Sequence, residues 1–142
     1  MPDSDTIGYD PSTHSLYIDN GGGDAHQTYS MLSIVDTTAG TKLADIKIDG
    51  DTLEAMALDT SGPNLYVNNK AKNQVDVIDR NSRRLIASWP VTLGKTNVAM
   101  ALDEANHRLF VAFPNAQTLV FHSQTAPEFP AIPSPKAVAD PV

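Results

Sequence analysis

The chain has no cysteine, a single tryptophan and few aromatic residues, 6% in all. The missing cysteines exclude disulfides, thiolate nucleophiles and cysteine-held metals, and they leave the redox state of the compartment without a mark. Basic residues are scarce: 10 Lys and Arg against 17 Asp and Glu give a net charge of −7. A basic stripe is the electrostatic footprint of nucleic-acid binding, and basic segments are what anionic membrane surfaces attract. The balance here therefore argues against both partners. No apolar run approaches the roughly 18 residues of a membrane-spanning helix, so no membrane insertion is expected. Residues 1–5, Met-Pro-Asp-Ser-Asp, are acidic and polar, and the expectation is that the chain carries no signal peptide. Several catalytic signatures are absent too: Gly-x-Ser-x-Gly, His-Glu-x-x-His, Gly-x-Gly-x-x-Gly and any Cys/His metal spacing. Gly94-Lys95-Thr96 matches the end of a phosphate loop, but Trp89 stands where its first glycine is required.

What is present is a repeat. The spacing Asp10-(x5)-Leu16-Tyr17-Ile18 returns as Asp59-(x5)-Leu65-Tyr66-Val67 and as Asp103-(x5)-Leu109-Phe110-Val111, after 49 and then 44 residues. A following run also recurs, as Ser33-Ile34-Val35-Asp36, Val77-Ile78-Asp79 and Thr118-Leu119-Val120-Phe121. These β-rich runs of about five residues are separated by Gly, Pro, Asn and Asp, the signature of antiparallel strands joined by tight turns. A period of 40–50 residues fits one four-stranded propeller blade per repeat.

The middle unit carries a more specific signal. Tyr66-Val67-Asn68-Asn69 followed by Val75-Asp76-Val77-Ile78-Asp79 resembles the YVTN-type β-propeller repeat, a Tyr-Val-x-Asn strand followed by a Val-x-Val-Ile-Asp strand. The resemblance runs from about Thr6 to Ser123. It implies an all-β chain, a partial β-propeller of about three four-stranded antiparallel blades, at about 6–50, 51–95 and 96–125. Because such proteins are often exported, it also implies an extracytoplasmic location, periplasmic or secreted.

Two inner runs, Ala55-Met56-Ala57-Leu58 and Val98-Ala99-Met100-Ala101-Leu102, are apolar at consecutive positions, the pattern of strands buried on both faces. Ala57 and Ala101 are expected beside the propeller axis, where strands converge. After Ser123 the chain has four prolines between Pro127 and Pro135. Proline removes a ladder hydrogen bond, so residues 126–142 read as a proline-rich tail, and the last blade as incomplete, with about eleven strands in total.

Functional candidates come from loops. In a propeller the loops joining second to third strands and those joining successive blades emerge on one face, where ligands commonly bind. That face gathers Asp24, His26, Asp51, Glu54, Asn68, Asn69 and Asn97 as candidate ligand contacts. Asp24 and His26 sit in a glycine-rich insertion, Gly21-Gly22-Gly23, expected to be the most mobile internal segment, and inserted loops often carry function. An Asp-x-His pair can contribute two metal ligands but does not complete a site. His14 and His107 occupy equivalent repeat positions, filled by Pro63 in the second unit, and read as exposed turn residues.

Two functions fit these observations. One is a non-catalytic binding or scaffold module using the loop face. The other is a propeller-type enzyme, a hydrolase or lactonase with its site at the funnel mouth, metal-dependent if Asp24 and His26 hold an ion. No cofactor is indicated. A three-blade arc leaves apolar blade faces in water, so self-association is expected, as a homodimer closing a ring of about six blades. A chain forming part of a longer propeller would also satisfy the pattern.

Overall fold

A computed structural model describes residues 4–92, 94–114, 117–125 and 128–133. Twelve strands form three four-stranded antiparallel sheets, each with its strands in chain order. Blade one holds β1 (Ile7–Asp10), β2 (Ser15–Asn20), β3 (Tyr29–Asp36) and β4 (Thr41–Asp49). Blade two holds β5 (Leu53–Leu58), β6 (Asn64–Asn69), β7 (Gln74–Asp79) and β8 (Arg84–Pro90). Blade three holds β9 (Ala99–Asp103), β10 (Arg108–Phe113), β11 (Gln117–His122) and β12 (Glu128–Pro133).

The turns explain why the strands stop where they do. Asp10, Asp36, Asp59, Asp79 and Asp103 each end or follow a strand, and each carboxylate accepts a backbone N–H two or three residues on. The distances are 2.9 Å from Ser12, 2.8 Å from Thr38, 3.0 Å from Ser61, 2.6 Å from Ser82 and 3.2 Å from Asn106. This local bond gives the backbone an alternative to the ladder and closes the turn. Because the carboxylate form is what accepts, these bonds hold the pKa of Asp36 and of Asp79 below the ordinary value, and the Asn106 side chain does the same for Asp103. His14 and His107 take the left-handed conformation in the β1–β2 and β9–β10 turns, with φ of 52° and 54°. Both are exposed, as turn residues should be.

The sheets pack face to face, so the core lies between blades rather than within one. Tyr17, Leu32, Ile34, Ile46 and Ile48 of blade one meet Leu53, Leu65, Val67 and Ile78 of blade two. Tyr66, Val75, Val77 and Val91 on the other side of blade two meet Leu109, Val111, Phe113, Leu119 and Phe121 of blade three. Trp89 bridges this second core, with ring centroids 5.6 Å from Tyr66 and 5.7 Å from Phe121. Residues alternate between the two cores along β6: Leu65 and Val67 face blade one, and Tyr66 faces blade three. That period of two is what a sheet covered on both sides requires.

Two expectations are corrected. The third blade is complete: β12 pairs with β11, matching Gln117 to Pro133 and Phe121 to Glu128, with a register shift between Thr118 and Val120. Proline bars a strand from the middle of a sheet, but the fourth strand of a blade is an edge strand with one partner, where proline is tolerated. Part of the proline-rich segment is therefore a strand, and the count is twelve rather than eleven. The second correction concerns β9. Ala57 is buried, but Ala99 and Ala101 are exposed. Burial of an inner strand on both sides needs a blade on each side, and blade three has a neighbour on one side among the described residues.

Candidate functional site

The loops β2–β3, β4–β5, β6–β7 and β8–β9 share one end of the blades and are tied to one another through backbone carbonyls. Gly22 and Gly23 both donate to Asp51 O, at 2.8 and 3.1 Å. Ala71 N donates to Thr52 O at 3.2 Å. The Asn73 side chain donates to Val91 O at 2.8 Å and to Gly94 O at 2.9 Å. The β2–β3 loop, expected to be mobile, is thus pinned: it forms a 3-10 turn over Gly23–Ala25 and closes with Gln27 N on Gly22 O at 3.0 Å. Gly22 is needed for close approach, not freedom, since a Cβ there would lie 1.9 Å from Tyr29 O.

Asparagines anchor this end. Asn69 is fully buried and donates to Asp49 O at 2.8 Å and to Asp76 Oδ2 at 2.7 Å, while its Oδ1 accepts Lys72 N at 3.1 Å. Asn97 is equally buried and donates to Asn68 Oδ1 at 3.0 Å and Gln74 O at 3.1 Å, and Asn68 donates on to Ala99 O at 3.4 Å. An amide side chain offers both donor and acceptor, which lets one residue join a strand to a loop and to the next blade. The candidates from sequence therefore divide. Asn68, Asn69 and Asn97 lie beneath the face and hold it together. Asp24 and His26 are exposed on the 3-10 turn. Asp51 is half-buried beside that turn, and Glu54 forms a 2.6 Å ion pair with Lys70. The structure brings Asn68 to Asn97 and the Asp24/His26 turn to Asp51, but joins neither group to Glu54. Among the described residues no three His, Cys, Asp or Glu side chains are grouped to hold a metal.

Three further features carry the polar chemistry of the fold. Asp76, the second residue of Val-Asp-Val-Ile-Asp, is fully buried and accepts from Asn69, Gln74 and Ser88, the last two at 2.7 and 2.6 Å. A charged residue inside an apolar strand was its available signal. Asp19 is 1% exposed; it accepts Thr6 N at 2.8 Å and Asp5 N at 3.1 Å on Oδ1, while its buried Oδ2 has no protein donor. Burial pushes its pKa up to about 6, against the pull of those two N–H groups. On the opposite end of the blades, Arg80 of blade two pairs with Asp10 of blade one and donates to Asp59 O and Gly62 O. Burial opposes the charge on Asp10, but the Ser12 and Thr13 bonds and the Arg80 guanidinium outweigh it and lower its pKa. This pair floors a cleft of about 300 Å3 between the two blades, rimmed by Ser12, Thr60, Asn81 and Arg83. No sequence spacing links residues 10 and 80, so this contact was not legible beforehand.

No protein-family model matches the chain, and no curated protein matches it. Solved structures do. A hydrazine synthase from Kuenenia stuttgartiensis superposes with a TM-score of 0.76 at 20% identity, over 90% of this chain and 35% of that one. Dihydro-heme d1 dehydrogenase NirN, solved in complex with DHE, superposes with a TM-score of 0.72 at 12% identity, over 92% of this chain and 28% of that one. Both are β-propeller proteins. The chain is a run of three β-propeller blades, and it spans about a third of the length of these neighbours or less. Identity at this level speaks to the fold alone.

Proposed function

We propose that the chain is a YVTN-type propeller segment acting as a non-catalytic binding or scaffold module, with the β2–β3 and inter-blade loops as its binding face. The observation that carries this reading is the hydrogen-bond lattice beneath those loops. A loop fixed by Asn69, Asn73, Asn97 and the Asp51 carbonyl needs little further ordering when it meets a partner, and preorganisation of this kind raises affinity. Two acceptors under the same face, Asn73 Oδ1 and Asn97 Oδ1, are buried without a protein donor; buried polar atoms of this kind are satisfied by a water or ligand donor. At the surface, Glu54 and Asp49 are paired with Lys70 and Lys72 at 2.6 and 2.8 Å, whereas Asp24 and Asp51 at the 3-10 turn have no ion pair among the described residues. The chemistry that fits is a cationic, donor-rich ligand such as an amine or a basic peptide.

Binding of a Lys/Arg-rich peptide and of its Glu-substituted counterpart, followed by amide chemical shifts, tests this. The basic peptide should move signals of Asp24–Gln27 and Asp49–Glu54 and weaken as salt rises, and the double variant Asp24→Ala/His26→Ala should lose most of that response. Equal binding of both peptides, or shifts confined to the opposite end of the blades, would refute the reading. A stoichiometric metal lost on His26→Ala, with turnover of an ester or lactone, would favour the hydrolase instead.

A further inference from the structure

The cleft between blades one and two sits where the two blade interfaces of this chain differ. The residue after each third strand donates its backbone N–H to the equivalent turn residue of its own blade: Thr37 to His14 O, Arg80 to Pro63 O and Ser123 to His107 O, each at 2.9 Å. Thr37, Arg80 and Ser123 are therefore one repeat position, and only blade two places a guanidinium there. Between blades two and three, Ser123 closes this place, because its carbonyl accepts the Tyr66 hydroxyl at 2.7 Å. Between blades one and two, the equivalent Tyr17 lines the open cleft instead. A second difference lies four residues after the turn-closing aspartates Asp36 and Asp79. Gly40 takes a φ of 65° in blade one, and Arg83 takes a φ of 55° in blade two. Glycine adopts that backbone freely and other residues at a cost. Arg83 bears the cost at the rim of the cleft, and strained backbone of this kind collects at functional sites.

The groups of the cleft divide into donors and acceptors. Burial raises the Tyr17 pKa and the Asp10 charge adds to the rise, while the Arg80 and Arg83 guanidiniums oppose it, so both cations stand near one phenol. Arg80 is spent on Asp10, but Arg83 is exposed and has no ion pair among the described residues. The hydroxyls have the opposite character. Ser12 and Thr13 donate to Asp10 at 2.6 and 2.9 Å, and Ser61 donates to Asp59 at 2.8 Å. An ionised carboxylate only accepts, so these oxygens are left with lone pairs to offer. The Asp59 and Glu104 carboxylates are taken up by N–H and hydroxyl groups of the Thr60–Gly62 rim and do not line the cleft. Arg83 is thus the uncompensated charge within it. We propose that the cleft binds a small hydroxylated carboxylate of the sugar-acid type, its carboxylate on Arg83 and its hydroxyls donating to Ser12, Thr13 and Ser61. A planar guanidinium matches a carboxylate with two parallel bonds. The volume of about 300 Å3 is at the small end of ligand clefts, which run from about 300 to 1,000 Å3, and Tyr17 and Ile34 give the carbon chain an apolar wall. This site is at the opposite end of the blades from the loop face and stands independently of the function proposed for that face.

Titration of the 142-residue chain with sodium gluconate, followed by amide chemical shifts, tests the proposal. Glucitol, which has the hydroxyls without the carboxylate, and acetate, which has the carboxylate without the hydroxyls, serve as controls. Gluconate should give saturable shifts at residues 12–15, 60–62 and 80–83, bind about tenfold or more tighter than either control, and weaken as sodium chloride is added. Arg83→Gly gives blade two the residue that blade one has at the equivalent turn, so it relieves the backbone and removes the charge together. It should lose about tenfold or more in gluconate affinity with an unaltered circular dichroism spectrum. No saturable shift with gluconate, glucitol or acetate binding as tightly as gluconate, shifts confined to the loop face, or unchanged affinity in a folded Arg83→Gly would each overturn the proposal.

Discussion

Replacing Asp19 by Asn should change how stability depends on pH. In the folded chain burial raises the Asp19 pKa from 3.8 to about 6. A folded pKa above the unfolded value means that the native state holds the proton more tightly, so this carboxyl favours folding at low pH and opposes it once ionised. The opposing contribution is absent below about pH 3, grows between the two pKa values, and is complete above about pH 7. Its full size is about 3 kcal/mol, at 1.36 kcal/mol for each tenfold change in proton affinity. The Asp19→Asn side chain keeps the acceptor for Thr6 N but places an amide N–H where Oδ2 has no partner. That costs roughly 1–3 kcal/mol at every pH. The decisive quantity is therefore the change in the variant-minus-wild-type difference between pH 4 and pH 8, which should favour the variant by about 2.5 kcal/mol, because the unfolded carboxyl is already more than half ionised at pH 4. Urea unfolding at unit steps across that range measures it, and other carboxylates such as Asp36 and Asp79 cancel because both proteins share them. A difference that stays constant across the range would refute the assignment of Asp19 as a buried, ionised and under-satisfied group.

Other outcomes follow from single contacts. Asn69→Ala removes two donors and an acceptor at once, one of them to the buried Asp76 carboxylate, and should cost on the order of 3 kcal/mol in urea unfolding; a loss under about 1 kcal/mol would contradict the anchoring role. Ala57→Leu should overpack the second core and cost about 1–3 kcal/mol. Ala101→Leu should change stability by less than about 0.5 kcal/mol, because Ala101 is exposed; equal effects at the two positions would refute the difference in burial. Arg80→Met should strand the Asp10 carboxylate and cost on the order of 3 kcal/mol near neutral pH. Because the Asp10 pKa is lowered in the folded chain, its stabilising contribution is present above about pH 4 and lost as the pH falls through its folded value, so thermal melts of Arg80→Met and wild type should converge in acid.

Local rules were enough for the strands and turns. The Asp-(x5)-Leu spacing, the alternation along β6 and the turn-closing aspartates act within a few residues, so the all-β class, the blade repeat and the number of blades could be read from the order of residues. The acidic net charge could be read there too, since it is a property of composition. Contacts between blades are another matter, because they depend on which sheets stack. That Asn68, Asn69 and Asn97 lie beneath the loop face rather than on it depends on what sits above them, and no periodicity records that. The glycine loop followed the same logic: three glycines suggested freedom, while the Asp51 carbonyl and the approach of Tyr29 turned them into a pinned corner. Ala101 has the local pattern of Ala57 but lacks the neighbouring blade, so an identical signal led to exposure. The fourth strand of blade three was hidden because proline forbids central strands and permits edges, and only the sheet order says which a strand will be. Asp10 and Arg80 stand 70 residues apart, and their pairing exists only because two sheets stack face to face.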